Sequence, residues 1–311
     1  MADAIDLAAL VDAARSGQAR AVARLLSVVE DGAAQLPEAM AALAGAGSGV
    51  PIIGITGSPG VGKSTTTNAL IRVFRERGKR VGVLAVDPSS PFTGGALLGD
   101  RVRMSEHAGD EDVFIRSMAS RGHLGGLAAA TPQAARVLAG VGFDVVILET
   151  VGVGQSEVEV AASADTTVVL LAPGMGDGIQ AAKAGILEVG DVFAVNKADR
   201  DGADATMREL RAMLTLGGLE AGQWRPPVVR TVASTGDGID ELVAELDRHQ
   251  DYLRESGEGR RRRVQRAVAE VEGLVLGALR RRIDPERLQS LAARVASGDL
   301  DAFAAVDQLL D

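Results

Sequence analysis

No cysteine occurs anywhere in this sequence. That excludes a disulfide framework, a thiolate nucleophile and any cysteine-ligated metal, and it suits a reducing compartment. Aromatic residues are scarce at 3%, so a core has to be packed from Val, Leu, Ile and Ala. Lysine is scarce too: Lys63, Lys79, Lys183 and Lys197 stand against 29 arginines. In a chain this rich in arginine, each lysine marks a place to look for a need for a compact ammonium. There is no basic excess either. The 33 basic and 42 acidic residues give a net charge of −9, which argues against a general pull toward nucleic acid. The start, MADAIDLAALVDAARSG, is acidic and amphipathic and lacks the basic opening and apolar stretch of a signal peptide. No apolar run approaches the length of a membrane span. The expectation is a soluble, cytoplasmic protein with no nucleic-acid and no membrane partner.

What is present is a large apolar fraction, 46% of 311 residues, enough for one large domain with extensions. Residues 1–47 carry apolar side chains at spacings of three and four (Ile5, Leu7, Leu10, Val11, then Val22, Leu25, Leu26, Val29) and predict a helical extension. The breaker-rich AGAGSGVP closes it. Between 48 and 250, seven unbroken β-branched runs alternate with helical stretches: PIIGITG, RVGVLAVD, DVFIRSM, DVVILET, TTVVLLAP, DVFAVNKAD and PVVRTVAS. Runs of that kind are strands buried on both faces. The fold class predicted is α/β, a doubly wound, mainly parallel sheet of about seven strands. Residues 251–311 read as a helical arm. In it Val264, Val268, Val271, Leu274, Val275 and Leu279 recur at helical spacing. The arginine clusters at 260–263 and 280–282 read as solvated helix faces, with dimer contacts or partner docking as the alternatives.

Gly57-Ser58-Pro59-Gly60-Val61-Gly62-Lys63-Ser64 matches G-x-x-x-x-G-K-[ST] in full, between a predicted strand and a predicted helix. The glycines let the backbone curl so that its amides point at phosphate, and the helix N-terminus, which continues through Thr65, adds positive potential. Lys63 is placed to reach the β- and γ-phosphates, and the Ser64 hydroxyl to ligate Mg²⁺. A hard cation on phosphates needs carboxylate oxygens nearby. Asp87 and Glu149 both end predicted strands, where ligand crevices form in parallel sheets. Glu149-Thr150-Val151-Gly152 stands where most GTPases have Asp-x-x-Gly, so Gly152 can lend its amide to the γ-phosphate. The longer Glu leaves direct and water-mediated metal contact both open. Asn196-Lys197-Ala198-Asp199 follows the sixth run and matches N-K-x-D. A carboxylate there accepts two hydrogen bonds from guanine and is left unpaired against adenine, so the ligand expected is GTP or GDP. Lys197 can lay its stem along the base, and Ala233-Ser234 can offer a backbone amide to the guanine O6.

The strings GSPGVGKST, AVDPSSPFTGGALLGDRVRM, FIRSMASRGHLGGL, ETVGVGQSE, APGMGDGIQAAKAGI and NKAD closely resemble the MeaB/ArgK family, GTPase chaperones of cobalamin-dependent methylmalonyl-CoA mutase and its relatives. The resemblance is dense over about residues 50–235. It implies a P-loop GTPase core with helical extensions, homodimeric through the C-terminal arm. Its implied partner is an adenosylcobalamin-dependent acyl-CoA mutase, and its implied job is gating cofactor loading and protecting that mutase. It also implies that Asp87 and Asp100 are metal-side carboxylates of the switch region beside Glu149, which makes Lys63, Glu149 and Asp100 the catalytic set. Asp177 and Lys183 resemble the family's third switch, with solvated loop charges as the alternative, and Arg121 opens a candidate switch segment. Where many regulatory GTPases carry a water-orienting Gln, this chain has Val153, with Gln155 two residues on. Slow intrinsic hydrolysis, accelerated by the partner, is expected. A metal-delivery GTPase would need Cys or clustered His, and His107, His123 and His249 are scattered. A protein-targeting GTPase would need a Met-rich domain, and the seven methionines are dispersed. A transport ATPase or amino-acid kinase would use ATP, against Asp199.

Overall fold

The computed structural model describes residues 6–88, 105–107, 109–120, 127–150, 162–174, 187–216 and 222–310. Each of the seven apolar runs forms a strand: β1 Ile52–Thr56, β2 Val81–Pro88, β3 Val113–Ser120, β4 Val145–Thr150, β5 Thr166–Leu171, β6 Val192–Val195 and β7 Val228–Arg230. They make one sheet in the order β3-β2-β4-β1-β5-β6-β7, and every pairing is parallel. Every residue of β4, β5 and β6 is buried. That is why those runs are unbroken rather than alternating: helices cover both faces.

One face of the sheet carries α4 (Lys63–Glu76) and α7 (Ile239–Glu255). Ile53, Ile55, Ile147, Val168 and Leu170 meet Leu70, Ile71 and Phe74 of α4 and Leu242, Val243 and Leu246 of α7. The other face is covered by α5 (Leu127–Gly140) and by the N-terminal helices α1 (Leu7–Arg15), α2 (Ala19–Glu30) and α3 (Leu36–Ala42). Leu25 and Leu26 share a core with Leu84, Leu138, Val146 and Leu148. Fully burying a side chain of that size contributes about 1.5–3 kcal/mol, so the extension is welded into the main core. Arg116 of β3 reinforces the join by donating to Ser27 Oγ at 3.0 Å and pairing with Glu30 of α2. Further along, α6 (Ala203–Leu216) covers Val169, Leu171, Phe193 and Val195 with Met207 and Leu210.

After Gly257 (φ 74°) the chain leaves the sheet as α8 (Glu258–Arg282), then α9 (Pro285–Ser297) and α10 (Ala302–Leu310). The 25 residues of α8 span about 37 Å at 1.5 Å per residue. Its first half is anchored at the amino-terminal edge of the sheet. Arg262 donates to both carboxylate oxygens of Asp191, at 2.9 and 3.1 Å, and to the Asp165 carbonyl at 3.2 Å. Arg266 pairs with Asp165, and Glu270 with Arg136 of α5. The same two aspartates hold strand ends: Asp165 accepts from the Ile52 amide at 2.9 Å and Asp191 from the Thr167 amide at 2.8 Å. Arg262 is therefore not a solvated-face arginine, and neither is Arg266. Both are partly buried ion-pair partners, while Arg260, Arg261 and Arg280 to Arg282 do face solvent.

His249 of α7 lies at the same edge, fully buried, with Nδ1 2.7 Å from Thr166 Oγ1 and Nε2 3.4 Å from Asp191 Oδ1. Trp224 and Tyr252 pack around its ring. Burial holds the imidazole neutral, with its pKa pushed down to about 3, and the Arg262 charge acts in the same direction. Burial pushes Asp191 up from its ordinary value, against the pull of Arg262 and the Thr167 amide. The Asp191 and Glu258 carboxylates keep Arg262 above its ordinary value despite its burial.

Candidate functional site

The carboxyl ends of the strands gather the motif residues at the opposite edge, around the point where β1 lies between β4 and β5. Residues 57–62 leave β1 and curl back into α4. Two glycines make that turn. Gly57 has φ 141°, and a Cβ there would lie 2.3 Å from the Leu170 carbonyl oxygen of β5. Gly62 has φ 99°, and a Cβ there would lie 2.4 Å from Asn196 Nδ2. Neither position accommodates another residue without a shift of backbone or motif side chain.

Lys63, 8% exposed, folds back over this loop and donates from Nζ to the Gly57 carbonyl at 2.6 Å and the Ser58 carbonyl at 3.2 Å. Its ammonium is thus held against the first residues of the curl that Gly57, Ser58, Gly60, Val61 and Gly62 describe. Pro59 and Thr65 lie at the exposed rim. Because α4 starts directly after Gly62, its N-terminal amides and partial positive charge face the same concavity.

Glu149 is 1% exposed and lies in register between Ile55 of β1 and Ala85 of β2. Its Oε1 accepts from Ser64 Oγ at 2.6 Å and its Oε2 from Thr67 Oγ1 at 2.8 Å. A hydroxyl and a carboxylate at that separation are hard oxygen donors suited to Mg²⁺. Among the described residues no group of three or more His, Asp or Glu could cage a metal ion. An ion here would complete its octahedron with nucleotide oxygens and water. Asp87 stands at the carboxyl end of β2, in register with Ala119, on the same rim. Asp100, Arg121, Gly152, Gln155, Asp177 and Lys183 lie outside the described residues.

The N-K-x-D segment sits directly after β6. Asn196, buried, donates from Nδ2 to the Val61 carbonyl at 2.8 Å. Its Oδ1 accepts from the Ala233 amide at 3.0 Å and the Thr231 hydroxyl at 3.3 Å. Asn196 is therefore a strut joining three loops. The Ala233 amide, one of the two expected to face guanine O6 with that of Ser234, is the one engaged by Asn196. Lys197 reaches the P-loop from the other side and donates to the Gly60 carbonyl at 2.6 Å. It is the non-glycine residue with positive φ among those described, at 57°. That conformation costs a side-chain-bearing residue about 1–3 kcal/mol and persists where surroundings hold it. Asp199 is exposed, its carboxylate open to a base.

Sequence reasoning overlooked Thr67 and Thr231. The only signal for Thr67 was its spacing of three from Ser64, which puts both hydroxyls on one face of α4.

The chain matches, over residues 22–286, the family described as methylmalonyl Co-A mutase-associated GTPase MeaB. The chain belongs to the MeaB family. A putative GTPase of Pyrococcus abyssi is 46% identical over 97% of this chain and 95% of its own length. The mitochondrial methylmalonic aciduria type A homolog of Mus musculus is 41% identical over 66% of this chain and half of its own. Among solved structures, an LAO/AO transport system kinase superposes with a TM-score of 0.74 at 26% identity, covering 97% of this chain and 96% of its own. The protein is a GTPase of the P-loop class, with the fold those family members share.

Proposed function

We propose that this MeaB-family GTPase uses Mg²⁺ and serves as the G-protein chaperone of an adenosylcobalamin-dependent acyl-CoA mutase. Methylmalonyl-CoA mutase is the client, and the GTPase gates its cofactor loading and protects it from inactivation. The match of residues 22–286 to a mutase-associated GTPase family supports this reading most. The reaction is in-line attack of water on the γ-phosphate of GTP. Lys63 exchanges its two loop carbonyls for phosphate oxygens, and the amides of residues 60–65 take up the charge that develops. Ser64 and Glu149 would hold the cation, which would supply charge neutralisation at the phosphates. Asp199 selects guanine. With Val153 in place of a water-orienting Gln, turnover stays slow until the mutase engages Arg121, Gln155, Asp177 and Lys183. The protein works as a homodimer through residues 251–311, whose apolar stripe is exposed in the single chain.

The test is GTP hydrolysis, with ATP as control, by the protein alone and with a purified adenosylcobalamin-dependent mutase from the same source. GTP-specific turnover that rises severalfold with the mutase is expected. ATP turnover equal to GTP would instead favour the kinase reading attached to the LAO/AO structure. GTP turnover indifferent to the mutase would remove the chaperone role.

A further inference from the structure

Four consecutive hydroxyl side chains open α4, and the structure gives them different work. Ser64 donates to Glu149 Oε1 at 2.6 Å. Thr65 faces solvent. Thr66, fully buried, donates to the Gly62 carbonyl at 3.0 Å, the ordinary bond of a helical threonine to the carbonyl four residues back. Thr67, equally buried, turns instead across the core to Glu149 Oε2 at 2.8 Å. One carboxylate is thus gripped at both oxygens by two hydroxyls one helical turn apart.

We infer that Thr67 is the positioning residue of the magnesium site: by holding Oε2 of Glu149 it fixes which oxygen, Oε1, is presented to the cation beside Ser64. This rests on the magnesium-dependent GTPase reading. The two grips are not equivalent. The Ser64 hydroxyl lies at the phosphate loop and is itself a ligand candidate, so its bond to Oε1 has to rearrange when a cation arrives. Thr67 lies a turn deeper in α4, away from the loop, and its bond has no reason to change. A carboxylate with one oxygen pinned turns a two-fold choice of rotamer into one. Outer partners that orient a ligand in this way commonly change metal affinity 10- to 100-fold when removed. Valine is the fitting replacement because it keeps the branched shape and deletes the donor.

The test uses the full chain and a fluorescent GDP analogue, read as nucleotide dissociation rate against Mg²⁺ concentration, with a zero-magnesium arm in EDTA. For Thr67→Val the Mg²⁺ concentration giving half the slowing of dissociation should rise about tenfold. The rate in EDTA should stay as in the wild type, and Thr67→Ser should return the midpoint to the wild-type value. Thr66→Val is the control for loss of a buried helical hydroxyl: it should lower the melting temperature and leave the midpoint in place. Thr67→Ala gives the same reading if the valine variant does not fold. The inference is overturned if Thr67→Val matches the wild-type midpoint, or if it speeds dissociation equally with and without Mg²⁺. A wild-type protein whose GDP dissociation ignored Mg²⁺ would overturn the magnesium reading itself, and Thr67's role with it.

Discussion

Helices α4 and α8 are written in similar apolar letters and come to opposite ends. Leu70, Ile71 and Phe74 of α4 disappear into the sheet, whereas Val264, Val268, Val271, Val275 and Leu279 of α8 are all at least 40% exposed. The contrast continues outward. Phe303 on α10 is 86% exposed, and Leu291 is the one large apolar residue of α9 that is buried. Periodicity reports that a face requires cover; it does not say whether the cover belongs to the same chain. The two regions also differ in how they are held. The nucleotide edge is tied by short bonds among loop carbonyls, hydroxyls and amides, and the root of the arm by guanidinium–carboxylate pairs against buried strand ends. Exposed apolar faces of this extent mark association surfaces.

The sharpest way to break this comparison is to charge the arm. Val268→Glu with Val275→Glu places four carboxylates in a two-fold interface, and should weaken a dimer by at least about a thousandfold. Sedimentation should then show a 32.0 kDa monomer, with GTP turnover per chain unchanged. A wild-type protein that already sediments as a monomer would leave the α8 stripe without its second copy.

Next in size is the arm's root. Arg262→Met leaves Asp191 buried without its guanidinium, and urea denaturation should show a loss of about 3 kcal/mol. Adding Asp191→Asn should recover part of it, since the Thr167 amide keeps its acceptor. A loss of only a few tenths would class the pair with exposed surface bridges.

At the nucleotide edge, Asp199→Ala should weaken GTP binding about a hundredfold by deleting two charge-assisted hydrogen bonds to the base. ATP binding and melting temperature should stay as they were, because Asp199 is exposed. Competition titrations against a fluorescent nucleotide measure both. Equal losses for GTP and ATP would show that Asp199 does not read the base.

The smallest effect is protonic. His249 titrates near its ordinary 6.5 when unfolded and at about 3 when folded. Between those values the unfolded chain binds the extra proton, so stability is complete above 6.5 and falls as the pH drops below it. By linkage the loss from pH 8 to pH 5 is about 2 kcal/mol. Asp191, shifted upward, is stabilised by protonation when folded and offsets part of this toward the acid end. Urea midpoints of wild type and His249→Gln at both pH values test it: the variant should show the flatter dependence.

The strands were legible because each is a continuous apolar run with a breaker at either end, and all seven appear where those runs lie. The phosphate loop was legible because backbone curvature demands glycine at fixed places, as Gly57 and Gly62 show. Other features rest on distant partners that no local pattern announces. Arg262 sits in a run of four arginines that resembles a wet helix face, yet its carboxylate partner lies 71 residues earlier. The Ala233 amide is held by Asn196, 37 residues away. Thr67 was hidden in a run of identical letters, where only the third dimension separates a hydroxyl bonded to its own helix from one bonded across the core.

Lys197 and Asn196 reach the consecutive carbonyls of Gly60 and Val61, so the segment proposed to read the base and the loop proposed to cradle phosphate are joined at one place. For anyone re-engineering the protein to accept a different nucleobase, this sets a rule of assembly. Asp199 is a replaceable tip, whereas Asn196 and Lys197 belong to the chassis, and exchanging the whole tetrapeptide would alter grip on the triphosphate along with taste for the base.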